Sequence, residues 1–210
     1  MSVYLPPWFA ARDDDAIARL IGNFPFATLI TAAGADPQIS HVPLLHRANA
    51  APHGALVGHV ARANPHWQFL ANRPSIAVFH GPHAYVSPSW YTDPAAMVPT
   101  WNYAVVHIHG SVELVEDHDA KLALLNELTA RFESGRAAPW QLQLQGARRD
   151  AMLAAIVAFR MSITRIEAKF KLSQNRGAAD RDRVIAGLLE EGFADAASTA
   201  EWMTRYAHKS

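Results

Sequence analysis

The sequence contains no cysteine, which excludes a disulfide framework, a thiolate nucleophile and a zinc site with thiolate ligands. It also lacks an apolar run approaching the ~18 residues that a membrane-spanning helix needs. Lys and Arg number 19, as do Asp and Glu, so the formal net charge is zero. A protein that coats nucleic acid by bulk electrostatics needs a strong cationic excess, so the balance argues against that class while leaving a local basic patch open.

The N-terminal sequence MSVYLPPWFAARDDD has no basic segment followed by an apolar stretch, and we therefore predict no signal peptide. Together with the missing cysteine, this favours a cytoplasmic protein without membrane contact. A chain of 210 residues can bury a sizeable core. Its length favours one domain with attached helices.

Segments with the composition of β-strands recur along the chain. FATLIT, QISHVPLLH, ALVGHVA and SIAVF follow at close intervals, separated by Gly, Pro, Asn and Asp. WNYAVVHIHGSVELVE predicts a longer strand that bends or bulges at Gly110, and AFRMSITRIEAKFKLS predicts one more. A doubly wound parallel sheet would need a helix after almost every strand, and that pattern is missing. The sequence therefore predicts a small, mainly antiparallel β-barrel.

Helical patterns lie before, between and after these strands. DDDAIARLIGNFP predicts a first helix, and DHDAKLALLNELTARFES predicts an amphipathic one. NPHWQFLAN predicts a helix with Asn64 as its N-cap and Pro65 at its first position. AADRDRVIAGLLEEG and DAASTAEWMTRYA predict two closing helices. We therefore expect a mainly β fold with helical additions (α+β): a barrel domain over residues 1–175 and a helical extension over 176–210 that packs on the barrel or on a dimer partner.

The segment GPHAYVSPSWY, residues 81–91, concentrates rings and hydroxyl groups and is predicted to form a loop. Trp90 and Tyr91, with Trp101 and Tyr103 further along, are flat amphipathic rings that suit a subunit seam or a planar ligand. Packing under loops is the alternative for any single ring. Because a small barrel fills its interior with its own side chains, a cofactor would lie outside it, in a cleft that another surface completes.

Two segments could hold a phosphate. GHVARANPHW places His59 and Arg62 at a strand end, just before the helix N-terminus predicted at Asn64, where free backbone N–H groups would add to the Arg62 charge. KFKLSQNR places Lys169 and Lys171 on one strand face. From residue 160 to 183 there are seven basic and three acidic residues. This stretch therefore suits a phosphate, and a solvated charged face remains the alternative.

The histidines offer a metal hypothesis and a ligand hypothesis. His107, His109 and Glu113 have the spacing of part of a cupin metal site, but the flanking glycines and a later PxG…H ligand are missing, so we predict no metal. His80 and His83, in HGPH, favour hydrogen bonding around a ligand instead. No G-x-S-x-G elbow, P-loop or Rossmann glycine pattern is present, and no catalytic residue is assigned.

FPFATLIT, GHVARANPHW, GPHAYVSPSWY, VPTWNYAVVHIHG and KLSQNR occur in an order and spacing that closely resemble the PaiB family of FMN-binding negative transcriptional regulators. The resemblance runs from the first residues to about Arg183. It implies a split β-barrel like that of the pyridoxamine-phosphate oxidase and flavin reductase group. In that group a homodimer commonly holds FMN in grooves between its subunits.

The resemblance thus implies a non-covalent FMN cofactor, which the purified protein can lose, and a homodimer. FMN needs cations for its phosphate, hydroxyl or amide partners for its ribityl chain and rings for its isoalloxazine. For the phosphate we expect Arg62, Lys169 and Lys171. As polar partners we expect His59, Asn64, Ser87, Gln174 and Asn175. Near the flavin ring or the dimer seam we expect Trp90, Tyr91 and Trp101.

Two functions fit this site. In a regulator, FMN would bias a dimer that acts on transcription, and DNA as a partner follows from the resemblance only. RDRVIAGLLEEGFADAASTAEWMTRY could form two joined helices, but the second is too poor in basic residues for a recognition helix. In an FMN-dependent oxidoreductase or flavin reductase without DNA binding, the flavin would carry the hydride or electrons.

Overall fold

A computed structural model describes residues 2–50, 53–71, 73–143 and 145–207, and these contain seven strands and six helices. The strands are β1 (Phe26–Thr31), β2 (Gln38–Pro43), β3 (Leu45–Arg47), β4 (Ala55–Ala61), β5 (Pro74–Val86), β6 (Thr100–Val115) and β7 (Ile156–Lys171). The helices are α1 (Asp14–Asn23), α2 (Trp67–Leu70), α3 (His118–Glu133), α4 (Gly146–Ala154), α5 (Ala178–Glu190) and α6 (Ala194–Tyr206). No helix within the described ranges is long and apolar enough to cross a membrane.

The strands form one sheet in the order β2-β1-β5-β6-β7-β4-β3. The chain divides into two compact units. The first unit comprises Met1–Phe24, Phe79–His107 and Glu167–Ser210, and the second comprises Pro25–Val78 and Ile108–Ile166. The three long strands, β5 to β7, each contribute one part to either unit.

The second unit is built on antiparallel pairs. β1 pairs with β2 along its whole length, from Phe26↔Pro43 to Thr31↔Gln38, and its last four residues also pair with β5. β4 pairs with β7, where Gly58 lies opposite Phe159. A Cβ atom on Gly58 would lie 2.6 Å from the Leu44 side chain, so the close packing at this point needs a glycine.

The first unit buries the apolar faces of its helices. Asp13 caps α1 by accepting a hydrogen bond from the Ala16 N–H, as its acidic start predicts. Phe170 and Trp202 pack edge to face at 5.4 Å, and Tyr206 lies 4.9 Å from Trp202. The inner face of α6 is therefore buried by this packing.

The fold class predicted from the sequence, an antiparallel β structure with helical additions, is confirmed, whereas several element boundaries were wrong. QISHVPLLH forms two strands, β2 and β3. The predicted loop 81–91 is a strand as far as Val86, because residues 83 to 86 alternate between exposed and buried positions.

At Gly110, β6 is continuous, and a Cβ atom there would overlap the Ser162 carbonyl oxygen, so this glycine permits a close strand approach. The boundary at residue 175 stays a prediction. Helices α5 and α6 lie within the predicted extension, whose residues 208–210 fall outside the described part of the chain.

Candidate functional site

Arg62 lies just after β4, in the second unit. Its guanidinium carbon is 5.0 Å from the ring centroid of Trp67, and the Trp67 indole N–H donates to the Arg62 carbonyl oxygen at 3.0 Å. Its Nε and Nη2 groups make only long contacts, of 3.5 and 3.4 Å, to the carbonyl oxygens of Ala154 and Ile156. A guanidinium has five N–H donors. Arg62 is therefore oriented by a ring while most of its donor capacity is available to an anion.

His59 lies three residues earlier, on β4, and has an unsatisfied polar atom. Its Nδ1 is buried and has no hydrogen-bond partner among the described residues. Burial lowers the pKa of His59 below its ordinary value of 6.5, because the charged form loses solvation. A buried polar atom without a partner costs about 1–3 kcal/mol, so His59 carries a cost that a hydrogen-bond partner would remove. His59 and Arg62 thus both have hydrogen-bonding capacity that the described residues do not use.

Asn64 uses both ends of its amide within the protein. Its Nδ2 donates to the Ser40 hydroxyl at 2.9 Å, and its Oδ1 accepts the His66 backbone N–H at 3.0 Å. The second contact is an Asx turn. The predicted helix start at Asn64 and Pro65 is wrong by two residues. The helix is the single turn α2, which begins at Trp67, with His66 in the capping position. The His66 N–H, one of the backbone donors expected for a phosphate at this helix, is therefore already bound by Asn64.

The two lysines of β7 lie in the first unit. Lys169 is buried; its ammonium group donates to the Tyr4 carbonyl oxygen at 2.8 Å and lies 5.1 and 5.3 Å from the rings of Tyr4 and Tyr103. Lys171 donates to the Thr100 hydroxyl at 2.7 Å and to the Trp101 carbonyl oxygen at 2.5 Å. Both cations thus hold neighbouring segments in place.

Burial lowers the pKa of Lys171, and the nearby charges of Lys169 and Arg176 lower it further. A third anion-binding cation in this cluster would be Arg176, whose guanidinium lies 5.4 Å from the ring of Tyr91. An anion close to Lys171 would relieve the repulsion among these three cations. The cluster is therefore a second concentration of positive charge.

Ser87, Trp90 and Tyr91 make contacts within the first unit. The Ser87 hydroxyl accepts the Ser89 N–H at 3.2 Å and so caps the 3-10 turn Pro88–Trp90. Trp90 packs against Gly187 of α5, and Tyr91 is 3% exposed. Of the three, Ser87 and Trp90 keep partial exposure.

Gln174 and Asn175 follow β7. The Gln174 side chain accepts the Leu172 N–H at 2.7 Å and donates to the Phe170 carbonyl oxygen, so it closes the end of the strand. It also lines a cavity of about 390 Å³ with Trp8, Arg12 and Tyr206. Asn175 is exposed.

A second cavity of the first unit has a volume of about 380 Å³, and only some of its lining residues were predicted from the sequence. His80, His83, Trp101 and Tyr103 line it, and the Tyr85 ring lies 6.2 Å from that of Trp101. Trp101 is 53% exposed and Tyr85 43% exposed. We call His83, Tyr85, Trp101 and Tyr103 the open ring face. Once residues 81–86 are recognised as a strand, their alternation places His83 and Tyr85 on one side.

The histidines with cupin-like spacing have other partners. His107 Nδ1 lies 2.8 Å from the Ser2 hydroxyl, and the Arg165 guanidinium lies 3.1 Å from His109 Nε2. Throughout the described ranges, no three His, Asp or Glu side chains are grouped as ligands for a metal ion. His59, Arg62 and Asn64 thus belong to the second unit, and the other eight predicted site residues belong to the first.

Comparison with known proteins gives a consistent answer. Residues 3–165 match the family described as "Putative FMN-binding domain". A curated relative, protease synthase and sporulation protein PAI 2 of Bacillus subtilis, is 34% identical over 207 residues, covering 96% of each chain. These two matches extend over most of the chain and include the segments that carry His59 and Arg62.

Solved structures match at the level of fold. The FAD and heme binding protein from Mycobacterium smegmatis gives a TM-score of 0.60 at 20% identity over 88% of this chain and 80% of that one. The flavocytochrome Anf3 from Azotobacter vinelandii gives a TM-score of 0.59 at 15% identity, over 78% of this chain and 69% of that one. The sequence matches show the family and its FMN cofactor, and the structural matches show its fold. The chain belongs to the PaiB family of FMN-binding proteins and has the flavin-binding split β-barrel fold.

Proposed function

We propose that the chain is a cytoplasmic, flavin-binding transcriptional regulator of the PaiB type that binds FMN non-covalently and forms a homodimer. The family and the sporulation-related name of its Bacillus subtilis relative support the regulatory role. The observation that carries the flavin site is the guanidinium of Arg62 with its unused donors, and the unsatisfied Nδ1 of His59 in the same segment is a further polar group without a partner.

The phosphate of FMN binds Arg62 in this proposal. Near neutral pH that group is mostly a dianion, and a guanidinium can meet two of its oxygens at once. His59 stays neutral because burial lowers its pKa, so it can either donate to or accept from a ribityl hydroxyl. When bound, FMN supplies an isoalloxazine that accepts and releases hydride or electrons.

FMN titration of two arginine variants tests the phosphate site. Arg73 is the matched control, because its guanidinium also lies over a ring, 5.5 Å from that of Phe69, and donates to one carbonyl oxygen at 3.4 Å. We expect Arg62→Ala to weaken FMN binding by about 10- to 100-fold, as for a hydrogen-bonded charge, and Arg73→Ala to have little effect. Riboflavin, which lacks the phosphate, should bind Arg62→Ala and the wild type alike. Quenching of flavin or tryptophan fluorescence measures all five affinities.

Three outcomes would overturn the site. A protein that ignores added FMN contradicts it outright. Equal losses in Arg62→Ala and Arg73→Ala show a general charge effect and no seat at Arg62. An equal loss of riboflavin and FMN in Arg62→Ala shows that the arginine does not act on the phosphate.

The dimer is proposed from the exposed rings of the first unit. Tyr85 and Trp101 expose large fractions of their area on the open ring face. Aromatic rings with this degree of exposure are enriched at the centres of protein interfaces. We propose that a second copy of the chain covers this face.

The alternative is an FMN-dependent oxidoreductase or flavin reductase that does not bind DNA. The observation that favours it is the charge of α6, which carries one basic residue, Arg205, and two acidic residues, Asp195 and Glu201, and so lacks the cationic groups of a recognition helix. Hydride transfer from NADH or NADPH to protein-bound FMN, followed at 340 nm, tests this alternative. A sequence-selective gel shift with duplexes selected from a random pool, at physiological salt, supports the regulator instead.

A further inference from the structure

A chain of buried hydrogen bonds connects three strands to the segment that carries Arg62. Asn64 Nδ2 lies 2.9 Å from Ser40 Oγ, which lies 2.8 Å from His66 Nδ1. His66 Nε2 lies 2.9 Å from Thr31 Oγ1, and Thr31 Oγ1 lies 2.7 Å from Ser75 Oγ. We call Thr31, Ser40, His66 and Ser75 the hydroxyl–histidine network. Thr31, Ser40 and Ser75 belong to β1, β2 and β5.

All hydrogen bonds of this network can point the same way along it, with each donor on the Asn64 side and each acceptor on the Ser75 side. Because Asn64 Oδ1 accepts the His66 N–H, its Nδ2 must be the atom that donates to Ser40. Ser40 then donates to Nδ1 of His66, whose Nε2–H donates to Thr31, which donates to Ser75. In this arrangement Ser40 and Thr31 each donate once, Ser75 accepts, and His66 is neutral. The reverse tautomer would leave the Ser40 proton without an acceptor among the described residues.

The network is almost completely removed from solvent. Thr31 is 0%, His66 1%, Ser75 1% and Ser40 6% exposed. Well-packed apolar side chains generally stabilise such positions at least as well as polar ones. A fully satisfied polar network adds directional constraint, since each bond works at one distance and angle. The hydroxyl–histidine network is therefore suited to fixing the geometry of the chain segments that it connects.

The hydroxyl–histidine network connects to the segment that carries Arg62. His66 directly precedes Trp67, whose indole N–H binds the Arg62 carbonyl oxygen and whose ring lies under the guanidinium. Asn64, at the other end of the network, donates its backbone N–H to the Ala61 carbonyl oxygen at 2.9 Å. The network thus fixes the chain on both sides of Pro65 and sets the position of the ring against which Arg62 lies.

We propose that the hydroxyl–histidine network positions the Arg62 guanidinium and thereby sets the preference of the protein for FMN over riboflavin. This inference rests on the proposed phosphate seat at Arg62. Thr31, Ser40 and His66 are positioning residues, because they act through Trp67 and Arg62 and touch no part of the flavin.

The test replaces Thr31 by residues of nearly equal size. Thr31→Val keeps the shape but removes the hydroxyl that binds His66, whereas Thr31→Ser keeps the hydroxyl and serves as the conservative control. We expect Thr31→Val to weaken FMN binding about fivefold, within the range of couplings in one hydrogen-bond network, and to leave riboflavin binding unchanged. Thr31→Ser should bind both flavins like the wild type. In the Arg62→Ala background, Thr31→Val should cause no further loss of FMN affinity.

The outcomes separate this inference from the proposal on which it rests. If Arg62→Ala binds FMN as tightly as the wild type, the phosphate seat itself is wrong. If Arg62→Ala weakens FMN binding but Thr31→Val changes neither flavin, or weakens both equally, the positioning role is wrong. Additive losses in the double variant also overturn it, because they show that Thr31 acts independently of Arg62. Should Thr31→Val not fold, as judged by thermal unfolding, Ser40→Ala undergoes the same comparison.

Discussion

Trp90 fills the space that a side chain on Gly187 would need. A Cβ atom on this α5 residue would lie 2.5 Å from two atoms of the indole ring. Alanine usually stabilises a helix by about 0.5–1 kcal/mol relative to glycine, but overpacking costs about 1–3 kcal/mol. We therefore expect Gly187→Ala to lower the free energy of unfolding, as measured by urea denaturation.

Gly135 provides the control for this prediction. Nothing lies within 4 Å of a Cβ atom built on it, and its φ is not positive. Gly135→Ala should change the free energy of unfolding by no more than about 0.5 kcal/mol. A stabilised Gly187→Ala protein would contradict the contact with Trp90.

Ser173 combines backbone strain with a buried hydrogen bond, and two substitutions separate the two effects. Its φ is 65°, which favours glycine, and its hydroxyl accepts from Asn102 Nδ2 at 2.9 Å. Ser173→Gly relieves the strain and loses the bond, whereas Ser173→Ala loses the bond and keeps the strain. We expect Ser173→Ala to be the less stable variant by about 1 kcal/mol in urea denaturation. Equal stability of the two variants would show that the backbone here carries no strain.

The parts of the fold that could be predicted are those with a local signal. FATLIT and ALVGHVA coincide with β1 and β4. In β1 buried residues alternate with more exposed ones, whereas β4 is a short and mostly buried apolar run, and both patterns indicate a strand. The second half of β5 was missed because Gly81 and Pro82 usually interrupt strands. Its exposed His83 and Tyr85 still alternate with buried residues, so this signal was present but weaker than the two breakers.

The candidate site also has a part that could be predicted from the sequence and a part that could not. His59 and Arg62 could be proposed from one short segment, since a strand end with a cation is a local pattern. The hydroxyl–histidine network could not, because Thr31 and Ser75 become neighbours only through the β1–β5 register. Ser and Thr are also mostly exposed in folded proteins, so the sequence gives no reason to bury them together.

Stability should fall as the solution becomes acidic, because of buried neutral histidines. Burial lowers the pKa of His66 below 6.5, and it does the same for His46 and His59. The unfolded chain therefore binds more protons than the native protein as the pH falls through about 6.5, and stability is lost in that direction. One such histidine contributes a slope of at most about 1.4 kcal/mol per pH unit.

Urea denaturation between pH 8 and 5.5 measures this slope. His66→Gln should reduce it, because one proton fewer is taken up on unfolding, whatever the variant does to the absolute stability. A free energy of unfolding that is constant or rises as the pH falls would contradict the neutral state of the buried histidines.

The pKa of Lys171 should respond to a neighbouring charge. Burial lowers it first, and repulsion from Lys169 and Arg176 adds to the effect. Arg176→Gln removes one of these charges, so we expect the pKa of Lys171 to rise toward 10.5. The lysine ¹³Cε shift in an NMR pH titration reports it. Arg205→Gln is the control, because Arg205 is not among the charges that act on Lys171. A pKa that stays in place in Arg176→Gln would contradict the coupling.

The oligomeric state should depend on Trp101. If a second copy covers the open ring face, Trp101→Ala removes a large ring from the interface and should raise the dimer dissociation constant about 30-fold, as for a binding hot spot. Trp140→Ala is the matched control, since Trp140 is 57% exposed and Trp101 is 53% exposed, but Trp140 lies in the second unit. Analytical ultracentrifugation measures both variants. A monomeric wild type, or an equal shift in Trp140→Ala, would refute the dimer across this face.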